Sequence, residues 1–527
     1  MTWQQTYTPI GNSLALSALF AALPIFTLLL LLGILRKPAW IASLAGLAAA
    51  VAVAGGVYGM PAGLMFTTVL YGAAFGLFPI GWIVFTAILL YRVTLESGKF
   101  EILKDSIGHL TKDPRLQALM IAFAFGAFIE GAAGFGTPVA VAAAMLTGLG
   151  FEPFYAAGIC LLANTAPVAF GSIAIPVTTL AVTTGLPLDR LSAGIGRICA
   201  PVSLFVPAYL ILVMSGWKGL KGVIWPAAFC GLAFAGTQFY ISNFVGPQLT
   251  DILSSMAAMG ALLLCMRGHS RPASKHSGKQ VLLAWMPYLL LVFFVLIWAK
   301  PLADTLNSYN IPIKWPGLHN IVQRMPPVIA KPSPYAAVYN FTWLSASGTA
   351  CLLAVAFSAL ILGISPKQFG GILRHTTKQL AMAEGTLAMV LGLAFLMNYS
   401  GSTGTLGLAF AATGAAFPYF SAMLGWLGVF LTGSDTSANA LFGTLQMVTA
   451  EKLGQNPVLM ASANSAGGVM GKMISLTSIA VAAAATSMKP EEEAKLFRFT
   501  LKHSIFLASV IGLLTMFYAY VMPSWAP

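Results

Sequence analysis

Ala163-Asn164-Thr165-Ala166-Pro167 interrupts an apolar stretch otherwise long enough to cross a membrane, and Ala463-Asn464-Ser465-Ala466-Gly467 interrupts a second one in the other half of the chain. Backbone can leave its helix in hydrocarbon only where the freed polar groups are buried in protein or line a polar cavity, so a break there marks a site. Pro167 removes a backbone donor and clashes with the preceding turn. Asn164 and Thr165 can bind the groups this frees. In the second copy glycine flexibility serves in place of proline. Broken helices aim the partial positive charge of half-helix amino termini at an anion and unwound carbonyls at a cation. Asn164, Thr165, Pro167, Asn464, Ser465 and Gly467 are therefore candidate substrate-binding residues. At either position alone a kink, or close packing of small residues, explains the sequence equally well. The symmetric pair favours binding.

The correspondence extends outward in the same order. Gly171 meets Gly471 and Thr178 meets Ser478, while upstream an acid precedes a proline in each half, Glu130 before Pro153 and Asp435 before Pro457. Further upstream, Ser97-Gly98 with Leu103 matches Ser400-Gly401 with Leu406. Such self-similarity predicts two repeats, approximately 62–214 and 365–523, joined by linking helices over approximately 215–364.

Both acids sit in apolar stretches rich in turn formers. The first reads Phe-Ile-Glu-Gly-Ala-Ala-Gly-Phe-Gly-Thr-Pro over 128–138, and the second Gly-Ser-Asp-Thr-Ser-Ala-Asn over 433–439. Gly131, Gly134 and Gly136 permit a sharp turn, and Thr137 before Pro138 starts a helix well. A GxxxG-like packing face would not need Glu130. An ionised carboxylate at the bilayer centre costs about 3 kcal/mol even on mild insertion scales, so it requires a partner, a proton or water. Glu130, Gly131, Gly134, Gly136, Thr137, Ser434, Asp435, Thr436 and Asn439 are accordingly expected at two hairpin tips that contact a coupling ion or substrate. Lys472 and Arg197 are candidate substrate contacts. Lys472 could instead pair with an acid, and Arg197 could snorkel to an interface. Glu384 also falls within a span and is left without a role.

Composition agrees with a membrane protein: 58% of the 527 residues are apolar and only 8% are charged. Apolar length places spans near 14–35, 39–60, 80–96, 154–184, 191–214, 223–245, 251–266, 281–298, 344–363, 380–397, 458–486 and 505–522. The stretches 118–149 and 420–448 read as re-entrant helix-turn-helix hairpins. This predicts an all-α integral membrane protein of about 12 transmembrane helices plus two re-entrant hairpins. With the amino terminus outside, most of the 28 basic residues fall in inner loops, as the positive-inside rule requires. The first hairpin then enters from the cytoplasm and the second from outside, so the repeats are inverted in topology. The net charge of +13 reflects this orientation, because no basic face or aromatic platform for nucleic acid is present. Amphipathic segments at 98–116 and 365–378 are expected along the inner surface. All six histidines are read as surface-loop residues. The five cysteines lie in apolar segments without CxxC spacing and read as small core residues rather than a disulfide frame or metal site. The first apolar run exceeds a signal-peptide core and is expected to remain as a span. No HExxH, GxSxG, Walker A or strand-linked GxGxxG occurs, so no enzyme, ATP-driven pump or cofactor is expected.

The run FGAFIEGAAGFGTPVAVAAAMLTGLGFEPFYAAGICLLANTAPVAFGSIAIPVTTLA at 125–181, with GSDTSANALFG at 433–443 and SANSAGG at 462–468, resembles the bacterial L-lactate permease family. The resemblance covers essentially the whole chain. It implies a multi-pass protein of the bacterial cytoplasmic membrane that imports L-lactate, D-lactate and glycolate by proton symport. The paired hairpins and Asn-Thr/Ser breaks are more distantly similar to the ion transporter superfamily, which includes sodium-coupled dicarboxylate symporters. That likeness implies Asn164, Thr165, Asn464 and Ser465 as binding residues and a homodimer with an elevator-like transport domain. Here the breaks begin with alanine where that superfamily has serine. An ion-coupled antiporter or a sodium-coupled carboxylate transporter of the same architecture is the alternative, and a channel suits the inverted repeat less well.

Overall fold

A computed structural model describes residues 2–108, 110–134, 136–266, 276–298 and 302–526. Phe135 of the first hairpin, His109 and His269, the basic residues Arg267, Arg271 and Lys275, and Lys300 lie outside the described residues.

Strand β1 (Trp3–Gln4) precedes α1 (Leu14–Leu29), which Ser13 caps and which continues through a π-helical turn at Leu30–Ile34. α2 (Ala39–Gly56) returns beside it. α3 (Ala62–Phe75) and α4 (Trp82–Glu96) form one interrupted rod, Ala62–Glu96, broken where Phe78 becomes extended ahead of Pro79. The span expected from residue 80 thus starts earlier, at α3, whose glycines and threonines dilute an apolar stretch. Gly72 and Gly76 are required there by close approach, since a Cβ on Gly72 would lie 2.4 Å from the Leu391 carbonyl oxygen.

α5 (Lys99–Gly108) is followed by α6 (Pro114–Gln117), capped by Asp113, and a π-helical turn at Ala118–Phe125 that leads into α7 (Gly126–Ala132). The chain turns back as α8 (Thr137–Gly148), giving the first hairpin. α9 (Pro153–Ala163) and α10 (Gly171–Thr184) form a span bent by 64°. α11 (Leu188–Lys221), α12 (Ile224–Phe244), α13 (Thr250–Cys265) and α14 (Gly278–Ile297) follow. After α15 (Leu302–Asn307) come β2 (Ile311–Lys314), β3 (Val322–Arg324), β4 (Ser333–Pro334) and β5 (Val338–Phe341). They form two small sheets, ordered β1-β3-β4 and β2-β5, the first of which ties the amino terminus to this Pro-rich loop. The protein is otherwise α-helical.

α16 (Ser347–Ile361) precedes α17 (Pro366–Ser400), which starts at a Ser365/Gln368 capping box. α17 runs unbroken through 365–378, so the expected surface helix is the first turns of this long helix. α18 (Ser402–Phe410), α19 (Phe417–Thr432) and α20 (Asp435–Lys452) follow, the last two forming the second hairpin. α21 (Pro457–Lys472), α22 (Leu476–Ala485) and α23 (Pro490–Tyr520) complete the chain. His375 lies in α17 and His503 in α23, where it meets the Tyr209 hydroxyl at 2.6 Å. These two are helical rather than loop histidines.

Among the described residues eleven helices are long and apolar enough to cross a membrane, or twelve if the bent pair counts as one span. The protein is a multi-pass membrane protein. The order of elements is used twice: the Ala62–Glu96 rod and α17 are each 35 residues long, and each is followed by a short helix, a hairpin, a pair of shorter helices and a long final helix. The halves interlock. α8 of the first hairpin packs on α22, while α20 of the second packs on α10, the counterpart of α22 in the first half.

Candidate substrate site

The two hairpin turns and the ends of α10 and α21 enclose a cavity of about 200 Å³. Glu130, Gly136, Gly171, Ser172, Gly433, Ser434, Asp435, Thr436 and Lys472 line it, with Thr477 and Ser478 of α22. Six of the residues expected from sequence, Glu130, Gly136, Ser434, Asp435, Thr436 and Lys472, are thus brought to one small polar space from two distant chain segments.

Glu130 reaches the cavity because the first turn is built from residues with little or no side chain. Gly134 (φ 60°) and Gly136 (φ 80°) take left-handed backbone there. Gly171 leaves room for the carboxylate, since a Cβ on it would lie 2.7 Å from Glu130 Oε1. Asn164 Nδ2 donates to Glu130 Oε2 at 2.8 Å. The first break is where the sequence places it: α9 stops at Ala163, and residues 164–170 turn before α10 begins. The freed Ala166 carbonyl accepts from Gln238 Nε2 of α12 at 3.1 Å, and Thr165 Oγ1 donates to the Leu162 carbonyl at 2.7 Å. Pro167 leads into the 3₁₀ turn at Val168–Phe170. Ser172, Ile173 and Ala174 then adopt left-handed dihedrals, a conformation costly for residues with a Cβ. Ser172 Oγ donates to the Ala133 carbonyl at 2.9 Å and so clamps this strained turn to the first hairpin.

The second half differs from the sequence reading. α21 runs without interruption through Asn464, Ser465 and Gly467, and the break falls later, at residues 473–475. The small residues serve close helix packing instead: a Cβ on Gly467 would lie 2.1 Å from the Ala422 carbonyl oxygen, and one on Gly471 would lie 2.3 Å from that of Trp426. α19 therefore approaches α21 backbone to backbone, and the α21 hydrogen-bond ladder stays intact. Asn464 and Ser465 serve by side chain alone. Ser465 Oγ donates to Asp435 Oδ2 at 2.7 Å, and Asn439 Nδ2 reaches the same oxygen at 3.3 Å. Asn464 Nδ2 donates to Asn439 Oδ1 at 2.9 Å, and Gln446 Nε2 donates to Asn464 Oδ1 at 3.0 Å. Ser434 caps α20, with its hydroxyl accepting from the Ser437 N–H.

Lys472 closes the arrangement. Its Nζ donates to the Gly433 carbonyl at 2.6 Å, capping α19 at the turn that carries Asp435. Arg197 lies elsewhere: its guanidinium binds Asn243 and the Trp525 carbonyl and covers the Trp525 ring at 5.3 Å. Thr137 begins α8 and Gly131 packs on α13, both just outside the cavity wall. Ser172, Gln238, Gln446, Thr477 and Ser478 were missed from sequence because neutral polar residues in apolar stretches carry no distinguishing pattern.

A sequence profile of the L-lactate permease family matches residues 17–522. The chain belongs to that family. It is 44% identical to the L-lactate permease of Bacillus subtilis, with all of both chains covered. It is equally 44% identical to the glycolate permease GlcA of Escherichia coli, over 99% of each. Among solved structures, the Alcanivorax borkumensis YdaH transporter covers 86% of this chain and 87% of its own at 16% identity, with a TM-score of 0.44. Every site residue described above falls inside the segment matched to the permease family.

Proposed function

We propose that this protein imports lactate and glycolate across the bacterial inner membrane by proton symport. The single observation that carries the coupling is the charge inventory of the cavity: one ammonium, Lys472, faces two buried carboxyl groups, Glu130 and Asp435. Buried charge is tolerated when it is paired. In the empty site one ionised carboxylate balances Lys472, and the other carboxyl is neutral. A monocarboxylate substrate brings a second negative charge into the same space. Neutrality is restored when the remaining carboxylate takes up one proton, so substrate and proton load together.

The dimensions support a small solute, because a cavity of about 200 Å³ is below the range of about 300–1,000 Å³ typical of drug-sized ligands. The Ser434, Thr436, Ser172 and Ser478 side chains offer hydroxyls for a 2-hydroxy acid. Their number and the single cation favour a monocarboxylate over a dicarboxylate. The repeated element order and reciprocal packing support two inverted repeats, approximately 62–214 and 365–523, around this cavity. The superfamily likeness supports a homodimer.

The test is uptake of labelled lactate by proteoliposomes with an imposed pH gradient. Accumulation should follow the gradient, and each substrate taken up should carry a proton. Glu130→Gln should lower gradient-driven accumulation by about two orders of magnitude, on the scale of losing a proton-transfer group. Strictly sodium-dependent uptake, indifferent to pH, would favour the sodium-coupled alternative instead.

A further inference from the structure

One buried acid stands outside the cavity wall and has no partner. Asp251, in the first turn of α13, is 1% exposed, and neither carboxylate oxygen has a hydrogen-bond partner among the described residues. It abuts the first hairpin immediately behind Glu130: a Cβ on Gly131 would lie 2.7 Å from Asp251 Cβ. The titratable groups that face it from the packed elements are Glu130 on α7 and the Cys199 thiol on α11. The facing lengths of α10, α12 and the π-helical turn at Ala118–Phe125 carry no Asp, Glu, Lys, Arg or His. No cation therefore accounts for this carboxyl.

On the other side of Asp251 lies a second cavity. Gln248 and Leu249, at the start of α13, line a space of about 610 Å³ together with Asp189, Asn243, Asn307 and Ser345. These residues lie at helix ends and turns on the face that carries the Pro-rich loop, the outer face on the positive-inside reading. Hydroxyls accompany the acid: Thr250, Ser254, Ser255 and Ser242 are buried around the same helix ends. Asp251 thus lies two residues beyond Leu249 of the outer cavity wall and packs on Gly131, the residue that follows Glu130 of the central cavity.

We infer that Asp251 is a proton carrier between the outer cavity and Glu130, on a route separate from that of the substrate. Asp251 is neutral in the arrangement described, since an isolated carboxylate buried without donors is the costly state. When Glu130 is ionised, the Asp251 O–H bond breaks and its proton passes to an intervening water, which gives up one of its own protons to form the O–H bond on Glu130. The resulting Asp251 carboxylate is held briefly in the positive field of the α13 amino terminus. It then takes a proton from water in the outer cavity, which restores the starting state. Asp251 does not touch the substrate.

The inference rests on proton symport and is tested in proteoliposomes containing a trapped pH dye. Asp251→Asn should leave lactate/lactate exchange at symmetric pH within about twofold of wild type, while gradient-driven accumulation falls at least about tenfold. Exchange needs no net proton movement, so a merely structural role would not separate the two readouts. Wild-type accumulation by the variant overturns the inference, as does parallel loss of exchange in monodisperse protein. If Asp251→Asn does not purify, Asp251→Glu decides: a shifted pH profile of accumulation with intact exchange supports the carrier role, and an unshifted profile overturns it. Wild-type protein that accumulates lactate without net proton uptake, read by the trapped dye, would instead overturn symport itself, and with it any proton route.

Discussion

Asp435 shows how one side chain is held for use. Its Oδ2 accepts from Ser465 and Asn439, while Asn464 and Gln446 orient Asn439 from behind. Ser465→Ala removes the shorter of those two bonds. A hydrogen bond to a charged group contributes about 1.5–3 kcal/mol, so lactate uptake should fall about 10- to 100-fold. Uptake rates normalised to the purified, monodisperse variant check this, and an unchanged rate would remove Ser465 from the site. Residues of this kind were partly legible in the sequence. An acid amid apolar residues is conspicuous because hydrocarbon penalises it, which is why Glu130 and Asp435 could be read directly. Asp251 could not, because an acid at the first residue of a span reads as an ordinary interface residue. Ser172 was hidden for another reason: nothing in its type announces the left-handed turn it adopts.

At the scale of elements, the two halves reach similar ends by different backbones. The first half breaks its helix at Asn164 and satisfies the freed carbonyl with Gln238. The second keeps α21 whole and uses glycine for proximity. Asn-Ser-Ala-Gly-Gly permits either outcome, and the decision is made by α19, which no local pattern reveals. Gly467→Ala should therefore destabilise the protein by overpacking, by about 1–3 kcal/mol. Gly385→Ala in α17, where an added Cβ meets nothing within 4 Å, is the control. Thermal denaturation in detergent should show a lowered transition for the first and little change for the second. Equal transitions would mean that the α19–α21 contact tolerates an added methyl group.

For the whole molecule, spans and hairpins were legible because hydrophobic length and loop charge report directly on the bilayer, whereas α3 and the two small sheets were not. Sidedness provides a direct check. With the amino terminus outside, the exposed Tyr309 of the Pro-rich loop faces outward and the exposed Arg374 faces the cytoplasm. A cysteine introduced at Tyr309 should react with a membrane-impermeant thiol reagent on intact cells, and one at Arg374 should react only after permeabilisation. The reverse pattern would invert the topology.

The reciprocal packing of α8 on α22 and of α20 on α10 has a consequence for how such a chain can come apart or arise. Each half supplies one carboxyl, and the wall opposite that carboxyl is built by the other half. If the halves are the inverted repeats proposed above, a fragment ending near residue 221 would expose an unfilled face whose complement is a copy of itself turned over in the bilayer. Split halves produced together in one cell should therefore recognise each other, and an ancestor half this length would have been most at home as an upside-down pair.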